Sequence, residues 1–133
     1  MKNNIDALLD MLDCNNDMAI QQEGIESAKN IQYLSILFQP IEKKSIWKNC
    51  AKVIAEKTDK ELEPYYIKMF AWLKDMNWPG AYLIYDRLSN IPFALLDFSY
   101  HYCLNIAVQT NDRTWNEVLI RFRKDHKETG SVC

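Results

Sequence analysis

The chain has 133 residues, 48% of them hydrophobic and 12% aromatic, and a formal net charge of −2. These values exclude a disordered chain and provide no overall attraction to nucleic acid or an anionic membrane. With two histidines and three glycines in all, neither a histidine metal cluster nor a glycine-rich phosphate loop is expected.

Apolar residues recur at helical spacing from the start. Ile5, Leu8, Leu9 and Leu12 fall at i, i+3, i+4 and i+7, which predicts a short helix over 5–12. Cys14-Asn15-Asn16-Asp17 is turn chemistry. A second helix is predicted over 17–29, with Ile20, Gly24, Ala28 and Ile31 on one face and Ile25 alongside. Gly24 at mid-helix costs up to about 1 kcal/mol against alanine, and a close helix–helix contact would account for it. A short helix or turn over 30–38 ends at Gln39-Pro40. The next helix, over 44–57, turns Trp47, Cys50, Ala51 and Ile54 inward. Thr58 and Glu61 have capping-box spacing and open a helix running to about Lys74, with Pro64 near its start.

WLKDMNWPGA, residues 72–81, reads as the joint of a helical hairpin. Asn77 is placed to cap the following helix and Pro79 to occupy its first turn. That helix is predicted over 79–88. A long helix over 92–109 is the most apolar, with Phe93, Leu95, Leu96, Phe98, Tyr100, Cys103, Leu104, Ile106, Ala107 and Val108 leaving a narrow polar stripe. This pattern predicts a central helix with neighbours on more than one side. A last helix over 113–126 carries Trp115, Val118, Leu119 and Phe122 inward. No alternating strand pattern occurs. The expected architecture is therefore all-α, about seven to eight helices stacked as antiparallel pairs in a HEAT-like superhelix. It forms a single domain over 1–127 followed by a tail over 128–133.

The cysteines, Cys14, Cys50, Cys103 and Cys133, form no CxxC pair, and Cys50 and Cys103 read as small buried hydrophobes. Without a leader or spanning segment, the expected location is the cytoplasm. No catalytic motif, metal site or cofactor is expected. The best polar constellation is Asp97, His101 and Asn105, at i, i+4 and i+8 on the long helix. As a functional site it would be a recognition groove or, as the lesser alternative, an acid–base pair; otherwise it is the solvated stripe of an amphipathic helix or a satisfied polar contact between helices. Tyr82 and Tyr85 belong to a dense tyrosine set, suited to interfaces and equally to core edges. Asp75 and Trp78 at the joint complete the protein-binding candidates.

WKNCA (47–51), KTDKEL (57–62) and WLKDMNWPGA, together with Asp86-Arg87-Leu88, resemble a bacterial family of unknown function, number 5071, whose members are HEAT-like helical proteins. The resemblance spans roughly 31–88. It implies a non-enzymatic protein-binding role, that of an immunity protein blocking a cognate toxin of a polymorphic-toxin system. The alternative is a HEAT-like scaffolding protein without a toxin partner. The region after Pro92 is expected to hold individual specificity, and the sequence leaves the oligomeric state open.

Overall fold

The computed structural model describes residues 4–126. Every regular element among them is helical. The α-helices are α1 (Asn4–Met11), α2 (Met18–Ala28), α3 (Trp47–Ala55), α4 (Asp59–Leu62), α5 (Tyr66–Ala71), α6 (Ala81–Ser89), α7 (Phe93–Gln109) and α8 (Arg113–Asp125). Short 3₁₀ segments lie at Leu34–Leu37, Ile41–Ile46, Glu63–Tyr65 and Trp72–Lys74. The all-α expectation is met. The expected tail, 128–133, lies outside the described residues.

The chain divides into two compact units between Lys57 and Thr58.

In the first unit, α1 packs on α2 and α2 on α3. Gly24 is the reason α1 and α2 can meet closely: a Cβ there would lie 2.9 Å from Met11 Cβ and 3.2 Å from its carbonyl carbon. The buried face of α2 is Gln21, Gly24, Ile25 and Ala28, so Ile20, expected inside, is 40% exposed and Gln21 takes its place. Burying an amide is tolerated because its hydrogen bonds are made. Gln21 Nε2 donates to the carbonyls of Cys14 (3.1 Å) and Asn16 (2.7 Å), and its Oε1 accepts from Nδ2 of Asn49 at 3.0 Å. Asn49, 1% exposed, also donates to the carbonyl of Leu12 at 2.8 Å. This amide pair satisfies carbonyls of the turn that follows α1 from within. Cys50 on α3 is fully buried, and burial pushes its thiol up to about 12.

In the second unit, the capping box forms as expected. Glu61 N–H donates to Thr58 Oγ1 at 3.1 Å, and Thr58 N–H to Glu61 Oε1 at 2.9 Å. The helix it opens is not continuous, because Pro64 lies in a 3₁₀ turn between α4 and α5; proline cannot donate to the ladder. An aromatic core then joins α5, α7 and α8. Phe70 meets Phe122 edge-on at 5.3 Å and Tyr100 at 5.9 Å. Tyr100 is 3% exposed and donates its hydroxyl to the Leu119 carbonyl at 2.8 Å. Trp115 Nε1 donates to the Phe70 carbonyl at 2.9 Å. Such rings bury large areas, and their polar tips are satisfied, so little of that gain is lost.

The long helix corrects an expectation. α7 packs against α5 and α8 through the single seam Phe93, Leu96, Tyr100, Cys103 and Ala107. The opposite side is open: Leu95 is 50%, Phe98 74%, Tyr102 47% and Val108 59% exposed. Both partners sit on one 3–4-spaced seam, so apolar content alone misjudged how many sides are covered.

Candidate protein-binding groove

The joint is built differently from its sequence reading. Asn77 caps nothing: it is exposed, and α6 begins later, at Ala81, after Gly80 at φ 81°. Asp75 makes the turn instead. Its Oδ1 accepts from Asn77 N–H at 2.8 Å and its carbonyl from Trp78 N–H at 3.0 Å. The left-handed Gly80 then turns the chain into α6, and its carbonyl accepts from Ile84 N–H at 3.0 Å; glycine alone enters that region without steric cost. Trp72 Nε1 donates to the Pro79 carbonyl at 3.0 Å, bracing the turn from the preceding segment. Pro79 therefore lies in the turn rather than in the first helical turn.

This arrangement places Met76 beside α6 and α8, at the edge of an open groove of about 330 Å³. Tyr82, Tyr85 and Asp86 of α6 and Val118, Arg121 and Asp125 of α8 complete its lining. Tyr82 is 68% exposed and stands free on the rim. Tyr85 is half-buried; its ring meets Phe122 edge-on at 5.3 Å, and its hydroxyl donates to Asp125 Oδ2 at 3.1 Å. Burial, followed by the hydrogen bond to Asp125 and that carboxylate's charge, pushes the Tyr85 hydroxyl up to about 12. It therefore remains a neutral donor at physiological pH. The groove offers aromatic and thioether surface with both signs of charge, a composition suited to a protein side chain and its backbone.

The seven expected binding residues separate into three places. Tyr82 and Tyr85 share the groove. Asp75 and Trp78 are half-buried in the joint on either side of Met76, and neither lines the groove. Asp97, His101 and Asn105 lie on the exposed side of α7, also away from the groove. His101 Nδ1 is 3.3 Å from Asp97 Oδ1 and 3.0 Å from the Asp97 carbonyl, so these two side chains do meet. Arg121 and Asp125 were missed as site residues. Their signal was available: 118, 121 and 125 share one face of α8, and 82, 85 and 86 share one face of α6. Among the described residues, no group of three or more His, Cys, Asp or Glu side chains could hold a metal ion. No helix among them is long and apolar enough to cross a membrane.

Residues 41–131 match the family described as a domain of unknown function (DUF5071). The chain belongs to this family. The match runs through α7 and α8, so the stretch after Pro92 is part of the family domain and the match extends past the 31–88 stretch that carries the resemblance. What precedes Ile41, including α1 and α2, lies outside the match. No curated protein and no solved structure matches the chain.

Proposed function

We propose that this family member is a non-enzymatic protein-binding module, and that it acts as an immunity protein blocking a cognate bacterial toxin in the cytoplasm. The helices serve as a HEAT-like scaffold, and the groove between the joint, α6 and α8 receives the toxin. The observation that carries the binding reading is Tyr82, 68% exposed on the rim of a groove that also holds Tyr85, Met76 and Arg121. Tyrosine and arginine dominate binding energy at protein interfaces, and methionine adapts to irregular partners. A large ring left in water beside a concavity is available at little entropic cost. The toxin assignment draws on the resemblance carried by the 72–81 string.

Inhibition on this reading is steric: the toxin inserts side chains into the groove, and the flanking surface of α8 occludes its substrate path. The test is capture of the neighbouring gene product by the tagged chain, together with rescue of growth when both are co-expressed. Capture and rescue are expected, and Tyr82→Ala with Arg121→Glu should abolish both. The absence of both capture and rescue with the wild-type chain would refute the reading.

A further inference from the structure

The exposed side of α7 does not line the groove, and its residues are arranged with an internal symmetry. Leu95, Phe98 and Tyr102 form one stripe, with Phe98 and Tyr102 stacked at 6.2 Å and 29°. From their exposures of 50%, 74% and 47%, they leave roughly 300 Å² of ring and aliphatic surface in water, as much as the largest patch on many monomers. Asp97 and His101 run along one edge of this stripe, and the half-buried Ile106 lies on the other.

We propose that this face is the contact between two copies of the chain, with α7 packed antiparallel on its symmetry mate about a two-fold axis close to Tyr100. In an antiparallel helix pair around a perpendicular two-fold, each edge meets its own copy, and residues equidistant from the axis level face each other. The pairs that result are complementary. Phe98 faces Tyr102 of the other copy and Tyr102 faces Phe98, giving a four-ring cluster. Asp97 faces His101 and His101 faces Asp97, one carboxylate–imidazole pair on each side of the axis. Leu95 faces Ile106 and Ala94 faces Asn105. The midpoints of all four pairs fall between residues 99 and 101, so a single axis satisfies them together. A helix face of this length buries on the order of 1,000 Å² in total, the lower range of specific interfaces, so the dimer is reversible and concentration-dependent.

The test is sedimentation equilibrium of the full chain over a range of concentrations. The mass should rise from 15.7 kDa toward twice that value. Phe98→Glu should remain monomeric at every concentration with an unchanged circular dichroism spectrum, because Phe98 is 74% exposed and supports no core. Tyr102→Lys is a second variant on the same stripe with the same expected outcome. Asp97→Lys should weaken the dimer about fivefold through two lost pairs. The double exchange Asp97→His with His101→Asp should restore it, since the two-fold makes the pairing reciprocal. A wild-type chain that stays monomeric overturns the proposal. So does a dimer that Phe98→Glu and Tyr102→Lys leave intact, which would place another face at the contact, or a double exchange as weak as the single change.

Discussion

The hydroxyl of Tyr85 donates to Oδ2 of Asp125 at 3.1 Å, tying α6 to the last residue of α8. A carboxylate at a helix C-terminus is electrostatically unfavourable, because the macrodipole is negative there. The tyrosine donor offsets that cost and closes one side of the groove.

This contact makes stability depend on pH in the alkaline range. Tyr85 is raised from 10.0 to about 12 by burial and by Asp125. The folded chain thus holds the proton more tightly than the unfolded chain. The contribution is complete below pH 10 and is lost as pH rises through about 12. Tyr85→Phe should lower stability by under about 1 kcal/mol at neutral pH. It should also flatten the decline in urea midpoint between pH 10 and 12 relative to wild type. An unchanged alkaline slope in the variant would mean that the hydroxyl is free in solution.

The joint separates two neighbouring polar residues by role. Asp75→Ala removes the acceptor of Asn77 N–H and should cost about 1 kcal/mol. Asn77→Ala should be within about 0.5 kcal/mol of wild type, as expected for an exposed side chain that caps no helix. Gly80→Ala, at φ 81°, should cost about 1 kcal/mol or more from left-handed strain. Thermal or urea denaturation of the three variants gives the ranking, and a larger loss for Asn77→Ala than for Asp75→Ala would contradict this geometry.

Much of the fold was legible because its signals are local. The Thr58–Glu61 capping box is a spacing, and both of its hydrogen bonds form. Gly24 was readable as a close approach, and Met11 is what it approaches. The errors arose where tertiary context decides. Gln21 and Asn49 are polar by sequence, yet they are buried because each satisfies groups on another segment. Leu95, Phe98 and Val108 are apolar, yet they face water because α5 and α8 cover only one seam of α7. At the candidate site, Tyr82 and Tyr85 were identifiable by residue type. Arg121 and Asp125 share one face of α8 by spacing, and the packing of α6 beside α8 is what sets that face against the tyrosines.

The packing of Gly24 yields a stability test of the first unit. Adding one methyl would bring Cβ to 2.9 Å from Met11 Cβ and 3.2 Å from a backbone carbon, neither of which can swing away as a side-chain tip does. Overpacking of this kind costs about 1–3 kcal/mol, partly offset by about 1 kcal/mol of helix propensity. Gly24→Ala should therefore lose about 1–2 kcal/mol, read as a lower urea midpoint with an unchanged slope. A gain in stability would show that α1 and α2 are farther apart than this packing places them.

The central claim, that the groove beside the joint binds a protein toxin, is tested most directly by isothermal titration calorimetry of the chain with the product of the neighbouring toxin gene. Wild type should bind in a saturable one-site isotherm. Tyr82→Ala and Arg121→Glu should each weaken binding by about tenfold or more, equivalent to about 1.4 kcal/mol, without altering the fold. No heat of binding with the wild-type chain, or an affinity that neither substitution changes, would contradict the account.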